Sequence, residues 1–265
     1  MGRVNTAAIR RMKKEGRKVV CTTAYDAAFA ALADGAGVDL ILVGDSMGNA
    51  VLGFESTIPV TVEMMAHHCA AVVRARPSAL VVADVPFAVA GGSFERLLDA
   101  CAVFMQQSGV DAVKIEGGED MAPKIAALCA AGIPVMGHIG LLPQRVLQLG
   151  GYRRFGKSEV ERVQLIADAK AVEAAGAFCI VGEMICHDTA EAISAALNVP
   201  LIGIGSGLGC DGQIIVSTDI LGLTPGGGPP FAKVYADLGS AASKAFGDYA
   251  ADVREGRFPV TTPKQ

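Results

Sequence analysis

The feature that most constrains the fold is a regular alternation of short β-rich runs with longer helical segments, which begins after residue 18. The β-rich runs are apolar along most of their length, as is typical of strands buried on both faces. Such alternation requires parallel strands joined by right-handed crossovers. The predicted strands are Val19–Ala24, Asp39–Asp45, Ala79–Pro86, Ala112–Glu116, Pro134–His138, Phe178–Glu183, Pro200–Gly205 and a weaker eighth near Phe231–Tyr235.

Helical periodicity fills the segments between these strands. Gly109, Gly132 and Gly176 each follow such a segment and predict its C-terminal cap. Seven or eight strand–helix units in 265 residues suit a closed (β/α)₈ barrel (TIM barrel) better than an open doubly wound sheet. No linker or shift in composition divides the chain, so residues 1–265 are predicted to form a single α/β barrel domain with a short N-terminal helical extension. The predicted helices are Thr61–Arg76, Phe94–Ser108, Met121–Ala131, Ser158–Ala175 and Thr189–Leu197.

Composition narrows the class of protein. Apolar residues make up 51% of the chain and charged residues 19%, which is enough to build a core and excludes global disorder. The net charge of −4 argues against a nucleic-acid partner, and no apolar run is long enough for a membrane span. The seven cysteines are an odd number without a C-x-x-C pair. This pattern predicts reduced thiols and a cytoplasmic protein.

Ionisable residues close five successive predicted strands. They are Asp45, Asp84, Glu116, His138 and Glu183. In a parallel barrel the C-terminal ends of all strands lie on one face, where barrel enzymes carry their active sites. A single Asp after a strand is also a common helix N-cap. Five successive ionisable strand ends are much harder to explain as caps, so they predict one active site.

The three carboxylates of this group predict a metal site. Such groups repel one another strongly unless a cation or protons compensate them. Hard oxygen ligands with few imidazoles favour Mg²⁺ over Zn²⁺. The sequence therefore predicts Asp45 and Asp84 as direct or water-mediated Mg²⁺ ligands, with Glu116 as a third, outer ligand.

A Lewis acid beside a lysine and a separate carboxylate suits the enolisation of a 2-oxo acid. Mg²⁺ and Lys114 would hold the acid by its carbonyl and carboxylate oxygens and stabilise the enolate. Glu183 is the predicted base that removes the proton next to the carbonyl. Ser46 is predicted to donate to the substrate carboxylate. The alternatives are a surface role for Lys114 and a turn role for Ser46.

Two further features have simpler interpretations. Gly207–Gly212 matches G-x-G-x-x-G, a dinucleotide fingerprint, but it lies late in the chain and is equally well explained as a tight strand-to-helix turn. His67 and His68 are adjacent on a predicted helix and so point in different directions. We expect one to be packed and the other exposed.

Nine short blocks resemble the ketopantoate hydroxymethyltransferase family in the same order and with similar spacing. The resemblance implies a (β/α)₈ barrel of the phosphoenolpyruvate/pyruvate type and a homo-oligomer, usually a decamer. It also implies transfer of a hydroxymethyl group from 5,10-methylenetetrahydrofolate to 3-methyl-2-oxobutanoate, giving 2-dehydropantoate for pantothenate and coenzyme A biosynthesis. The blocks are Thr23–Asp26, Leu42–Gly48, Ser56–Thr61, Ala83–Phe87, Val113–Gly118, Gly137–Leu141, Gly150–Tyr152, Gly203–Gly205 and Asp211–Gln213.

The resemblance also implies roles for single residues. Asp45, Asp84 and Glu116 fall on the family's Mg²⁺ positions, and Glu183 falls on its proton acceptor. The family's oxo-acid site falls on Ser46, Lys114, Asp45 and Asp84, with His138 near the substrate. The chain departs from the family pattern around the predicted mouth, at Phe54, Arg154–Phe155, Ser206 and Thr218.

Three alternatives stay open from the sequence. The nearest is a Mg²⁺-dependent 2-oxo acid C–C lyase or mutase of the same barrel superfamily. Cys186 lies just past Glu183 but lacks the Lys-Lys-Cys-Gly-His surroundings of such lyases. The second alternative is a non-catalytic barrel, which loss of a strand-end carboxylate would support, but none of the expected carboxylates is missing. The third is a dinucleotide oxidoreductase, for which Gly207–Gly212 is the only evidence.

Overall fold

Eight short parallel strands close into a barrel in the computed structural model, which describes residues 2–260. The strands follow one another in chain order around the barrel, and the last pairs with the first. This architecture confirms the predicted (β/α)₈ fold and seven of the predicted strands. Strands β1 to β8 cover Val19–Thr23, Leu40–Val43, Leu80–Asp84, Ala112–Glu116, Val135–Gly140, Cys179–Glu183, Leu201–Ile204 and Gly212–Ile215.

Helices occupy the predicted segments between the strands. All three predicted capping glycines have a positive φ, the left-handed conformation that ends a helix. A π-helical stretch, Val103–Ser108, extends one helix, and a 3₁₀ turn covers Pro143–Arg145. Helices α1 to α12 cover Thr6–Lys14, Ala27–Gly35, Met47–Ala50, Val62–Arg74, Phe87–Ala90, Phe94–Ala102, Ala122–Ala130, Val146–Leu149, Glu159–Ala174, His187–Ala196, Ser217–Ile220 and Leu238–Arg254.

The predicted eighth strand near Phe231–Tyr235 is wrong. The barrel is closed instead by β8, which pairs with β7 on one side and β1 on the other. Gly212 begins β8 because a Cβ there would lie 2.4 Å from the carbonyl oxygen of Val19. A four-residue strand that opens with glycine carries little periodicity. The glycine-rich turn before it leads into a strand and not into the helix that we expected, which removes the basis for dinucleotide binding.

Two apolar layers enclose the strands. One layer lies between the barrel and the helices and includes Val113 and Ile115 of β4. The other fills the barrel interior and includes Ala112 of the same strand. Successive side chains of a strand point to opposite faces, so Lys114 and Glu116 point inward like Ala112. The charged residues thus continue the inward-facing rows at the C-terminal end of an apolar interior.

The chain divides into two compact units, the first ending at Val216 and the second starting at Ser217. The first contains the whole barrel. In the second, Thr224 donates a hydrogen bond to the Asp219 carboxylate over 2.6 Å, and the Asp237 side chain caps α12. No helix in residues 2–260 is long and apolar enough to cross a membrane. The single-domain organisation stays a prediction.

A glycine at the end of β5 allows a close approach between two strands. Gly140 has a φ of +91°, and a Cβ there would lie 2.3 Å from the carbonyl oxygen of Glu183. Gly140→Ala should therefore lower the free energy of unfolding by at least about 3 kcal/mol. Gly150 has a similar φ of +72°, but a Cβ there would meet no heavy atom within 4 Å, so Gly150→Ala should lose only about 1 kcal/mol. Urea unfolding followed by circular dichroism measures both, and equal losses would contradict the steric argument.

Candidate active site at the barrel mouth

One cavity of about 120 Å³ at the C-terminal end of the barrel brings together all of the predicted site residues. Its other walls are mostly apolar, with Leu42, Val181 and Ile204 among them. The cavity is lined entirely by residues of the first unit. The predicted residues that line it are Asp45, Ser46, Asp84, Lys114, Glu116, His138 and Glu183.

Lys114 lies at the centre of the polar groups. Its side chain is 4% exposed, and its Nζ lies 2.9 Å from Asp84 Oδ1, 3.7 Å from Glu116 Oε1 and 3.1 Å from His138 Nδ1. Burial alone would lower the pKa of Lys114, but the charges of Asp84, Glu116 and Asp45 together raise it. The ammonium is therefore retained, which excludes the surface role considered for this residue.

The three carboxylates carry more negative charge than Lys114 can balance. When ionised they contribute −3 against +1, which leaves −2 in a buried site. Burial, followed by the charges of Asp84 and Glu116, raises the pKa of Asp45 well above its usual range. Asp84 Oδ1 is paired with the Lys114 ammonium over 2.9 Å, whereas the buried Glu116 Oε1 has no donor closer than 3.6 Å. An under-satisfied buried oxygen and an excess of two negative charges fit a divalent cation that prefers oxygen ligands.

The protein groups do not form a complete chelate by themselves. Within residues 2–260, no three carboxylate, imidazole or thiol side chains converge closely enough to hold one ion. Mg²⁺ characteristically keeps several waters and takes only one or two carboxylates directly. The carboxylates therefore fit a Mg²⁺ whose remaining ligands are water and substrate oxygens.

Glu183 lies across the cavity from the lysine cluster, with His138 between them. His138 Nε2 is 3.2 Å from Glu183 Oε2, and its Nδ1 faces the Lys114 ammonium. Burial, followed by the charge of Lys114, lowers the pKa of His138 to about 4, so the ring is neutral near pH 7. The ammonium donates to Nδ1, so the ring proton is assigned to Nε2, facing Glu183. Burial raises the pKa of Glu183 to about 7, in the range of a general base.

The backbone that carries Glu183 is held on both sides. Met184, the next residue, has a φ of +50°, which is strained for a residue other than glycine. Ser206 Oγ donates to the Gly182 carbonyl over 2.7 Å and accepts from the Ile185 N–H over 3.0 Å. Arg154 donates to the Ile185 carbonyl over 3.0 Å. Two of the positions that depart from the family pattern thus brace the turn after Glu183.

Ser46 has a polar partner at the cavity edge. Its hydroxyl lies 2.9 Å from the hydroxyl of Tyr25, which is buried behind it. Ser46 also immediately precedes the short helix α3 without capping it by its side chain. The residue therefore lines the cavity and has a turn role at the same time.

Gln144 was missed by the sequence interpretation. It lies in the 3₁₀ turn after β5 and is 4% exposed. Its Nε2 donates to Asp45 Oδ2 and to the Val85 carbonyl, both over 2.8 Å, and its backbone N–H donates to Glu116 Oε2 over 3.1 Å. No periodicity marks it, because it follows the strand by several residues. Only its place in the Leu-Leu-Pro-Gln run after β5 could have drawn attention to it.

The adjacent histidines of α4 are placed as the sequence predicted. His67 is exposed, whereas His68 is partly buried and its Nδ1 lies 2.7 Å from the Tyr25 carbonyl oxygen. Neither residue lines the cavity. The pair is therefore a packing feature.

A family model described as ketopantoate hydroxymethyltransferase matches residues 3–261. This match spans nearly the whole chain and includes every residue of the cavity. The chain belongs to the ketopantoate hydroxymethyltransferase family. It is 48% identical to a 3-methyl-2-oxobutanoate hydroxymethyltransferase of Moorella thermoacetica over 257 residues, covering 97% of this chain and 96% of the relative. It is 49% identical to the enzyme of that name from Ignicoccus hospitalis, covering 98% of each chain.

Solved structures with low sequence identity share the fold of this family member. A 2,3-dimethylmalate lyase, described as a PEP mutase/isocitrate lyase superfamily member, has 19% identity and a TM-score of 0.61, covering 98% of this chain and 90% of that chain. A phosphonopyruvate hydrolase, solved in complex with oxalate and Mg²⁺, has 17% identity and a TM-score of 0.63. The match covers 98% of this chain and 92% of the hydrolase chain. These likenesses confirm the predicted barrel fold.

The raised pKa of Glu183 makes stability depend on pH. The carboxyl is protonated in the folded protein up to about pH 7 but ionises near its ordinary 4.5 when unfolded. Stability is therefore lost as the pH rises from about 4.5 to 7. In metal-free protein, Glu183→Gln should raise the free energy of unfolding by about 3 kcal/mol at pH 8 and by much less at pH 5.

Urea unfolding in the presence of a chelator measures this difference at the two pH values. Glu191→Gln, at an exposed position on α10, is the matched control and should change stability little at either pH. An equal effect of Glu183→Gln at pH 5 and pH 8 would contradict the raised pKa.

Proposed function

We propose that this chain transfers a hydroxymethyl group from 5,10-methylenetetrahydrofolate to 3-methyl-2-oxobutanoate and forms 2-dehydropantoate, a step of pantothenate biosynthesis. The observation that carries the proposal is one small cavity that places a retained ammonium and three carboxylates opposite a separate, partly buried base. Membership of the family supports the same activity. A cavity of about 120 Å³ suits a small acid and is well below the roughly 300–1,000 Å³ of drug-sized ligand sites.

Lys114 and Ser46 would bind and orient the oxo acid. The Lys114 ammonium offers hydrogen-bond donors to the negatively charged end of the substrate, and the Ser46 hydroxyl offers one more. The apolar walls suit the branched alkyl end of the acid, because burial of methyl groups there is favourable. This arrangement would present carbon 3 of the substrate toward Glu183.

Glu183 would act as the base that removes the proton from carbon 3. Its pKa near 7 gives a carboxylate basic enough to accept a proton yet ionised in a useful fraction near neutral pH. The neutral His138 would present its buried Nε2–H, 3.2 Å from Glu183 Oε2 and without a hydrogen bond in the structure, as a donor to the substrate. The resulting carbanionic carbon 3 would form the new C–C bond with the folate-borne methylene. Both C–N bonds of that methylene would break, water would supply the hydroxyl group of the product, and tetrahydrofolate would leave with one proton from carbon 3 and one from the water on its two nitrogens.

Asp45, Asp84 and Glu116 are the residues that would hold Mg²⁺. When bound, Mg²⁺ supplies Lewis-acid stabilisation of negative charge on substrate oxygens. The structural comparison includes a hydrolase of this fold solved with Mg²⁺, which supports this choice of metal. Asp45 and Asp84 would also face the oxo acid, since they line the same cavity as Ser46 and Lys114.

Further predictions accompany this function. The folate is much larger than the cavity, so its body would lie outside and only its methylene would reach the mouth. We propose a homo-oligomer, a decamer by analogy with the family, which light scattering would test. A cytoplasmic location and the absence of nucleic-acid and membrane partners also stay predictions.

Exchange of the carbon 3 proton for deuterium tests the enolising half-reaction. With 3-methyl-2-oxobutanoate in D₂O, the wild-type chain should exchange this proton only when Mg²⁺ is present, as followed by NMR. Glu183→Gln should lower the exchange rate by at least about 100-fold, since general-base catalysis contributes about 10² to 10⁴-fold. Exchange should not need tetrahydrofolate, whereas product formation should need its methylene derivative.

The same assay discriminates the alternatives. Absence of exchange from folded, Mg²⁺-loaded protein would overturn the transferase proposal. Cleavage of a 2-oxo acid C–C or P–C bond without folate would instead support the lyase or mutase of the same superfamily. The Glu191→Gln variant again serves as the control and should exchange at the wild-type rate.

The pKa of Glu183 also predicts a pH profile for the exchange. The base is active only when ionised, so the rate should fall as the pH drops through about 7. Bound Mg²⁺ adds positive charge and would move the midpoint to a lower pH, never a higher one. Exchange rates from pH 5 to pH 9 at saturating Mg²⁺ measure the midpoint. A rate that increases toward low pH would contradict the role of Glu183.

A further inference from the structure

Gln144 contacts two of the three carboxylates that would hold the metal, and it does so with two different groups. Its side-chain amide reaches Asp45 Oδ2, while its own backbone N–H reaches Glu116 Oε2. Both bonds are buried and lie within the same turn, Pro143–Arg145. One residue is therefore tied to carboxylates from two separate strand ends.

The hydrogen bonds divide the carboxylate oxygens into two sets. Asp45 Oδ2 and Glu116 Oε2 accept from Gln144, and Asp84 Oδ2 accepts from the Asp45 backbone N–H over 3.3 Å. Of the opposite oxygens, Asp84 Oδ1 faces the Lys114 ammonium over 2.9 Å, and the buried Glu116 Oε1 has no hydrogen bond. In each of the three carboxylates at least one oxygen is thus occupied by a protein donor, and this contact determines the rotation of the group.

The orientation of the Gln144 amide follows from its partners. Its Nε2 faces a carboxylate oxygen and the carbonyl oxygen of Val85, both of which only accept hydrogen bonds. The two amide protons are therefore both used. The bond to the carbonyl of Val85, one residue after Asp84, holds the amide beside the Asp45 carboxylate.

We propose that Gln144 is a positioning residue that orients Asp45 and Glu116 for metal binding. This role rests on the proposed function, since it requires the carboxylates to bind Mg²⁺. Donors that fix metal-ligating groups typically change metal affinity by about 10 to 100-fold when they are removed. The side-chain amide acts on Asp45, and the backbone N–H acts on Glu116.

Metal binding without turnover tests the proposal. Mn²⁺ is titrated into the full chain in the presence of 3-methyl-2-oxobutanoate, free Mn²⁺ is counted by electron paramagnetic resonance, and Mg²⁺ is measured by competition. Gln144→Leu should raise the Kd for both ions by about 10 to 100-fold. Gln144→Asn is the second variant, for use if Gln144→Leu does not fold. It keeps an amide, but its side chain is one methylene too short to reach Asp45, so the Kd should rise by a similar factor.

Gln164 provides a matched control. Its amide also bridges two carboxylates, Glu119 Oε2 over 2.9 Å and Asp168 Oδ1 over 3.2 Å, but on α9 and outside the cavity. Gln164→Leu should bind both ions as tightly as the wild-type chain. A thermal melt of each variant separates loss of metal affinity from loss of the fold.

The outcomes separate this inference from the proposed function. Equal Kd values for wild type and folded Gln144 variants would overturn the positioning role and leave the metal site intact. A wild-type chain that binds neither ion would overturn both this inference and the metal part of the proposed function. A loss shared by the Gln164 variant would show a general effect of charge or stability and would also overturn the positioning role.

Discussion

The ion cluster around Lys114 is the interaction on which the site depends. One buried ammonium neutralises part of the charge of three carboxylates and also sets the tautomer of His138. A buried charge without a partner is costly, so each member requires the others. Because the cluster leaves an excess of negative charge, it is suited to a divalent cation and to a substrate that brings its own oxygen ligands.

The same burial explains why the opposite side of the cavity can act as a base. Burial raises the pKa of Glu183 to about 7, in the range of a general base, and it also raises the pKa values of Asp45 and Glu116. The roles differ by position: Asp45, Asp84 and Glu116 form a cluster with Lys114 whose excess negative charge a divalent cation can balance, whereas Glu183 lies apart beside a neutral imidazole. Because the folded state disfavours the ionised form of Glu183, this residue makes the metal-free protein less stable above pH 7 than at pH 5.

Much of the fold and of the site could be predicted because, in a parallel barrel, the place of a residue in its strand determines whether its side chain points inward and at which end of the barrel it lies. Lys114 and Glu116 are two residues apart on one strand, so both must point inward, and the other ionisable strand ends meet them at the same mouth. The eighth strand escaped prediction because it is short and is defined by pairing with β1 and β7. Gln144 escaped because its contacts are with residues far away in the chain.

The sequence by itself determined the alternation of strands and helices, and with it the barrel and the inward-facing charged residues at its mouth. These properties follow from the periodicity of side chains, which is local. The tertiary structure alone decided which groups touch: the Lys114 cluster, the brace that Ser206 and Arg154 form behind Glu183, and the two bonds of Gln144. Distances and pKa values depend on neighbours brought together by strand register and loop conformation, and no local pattern specifies those neighbours.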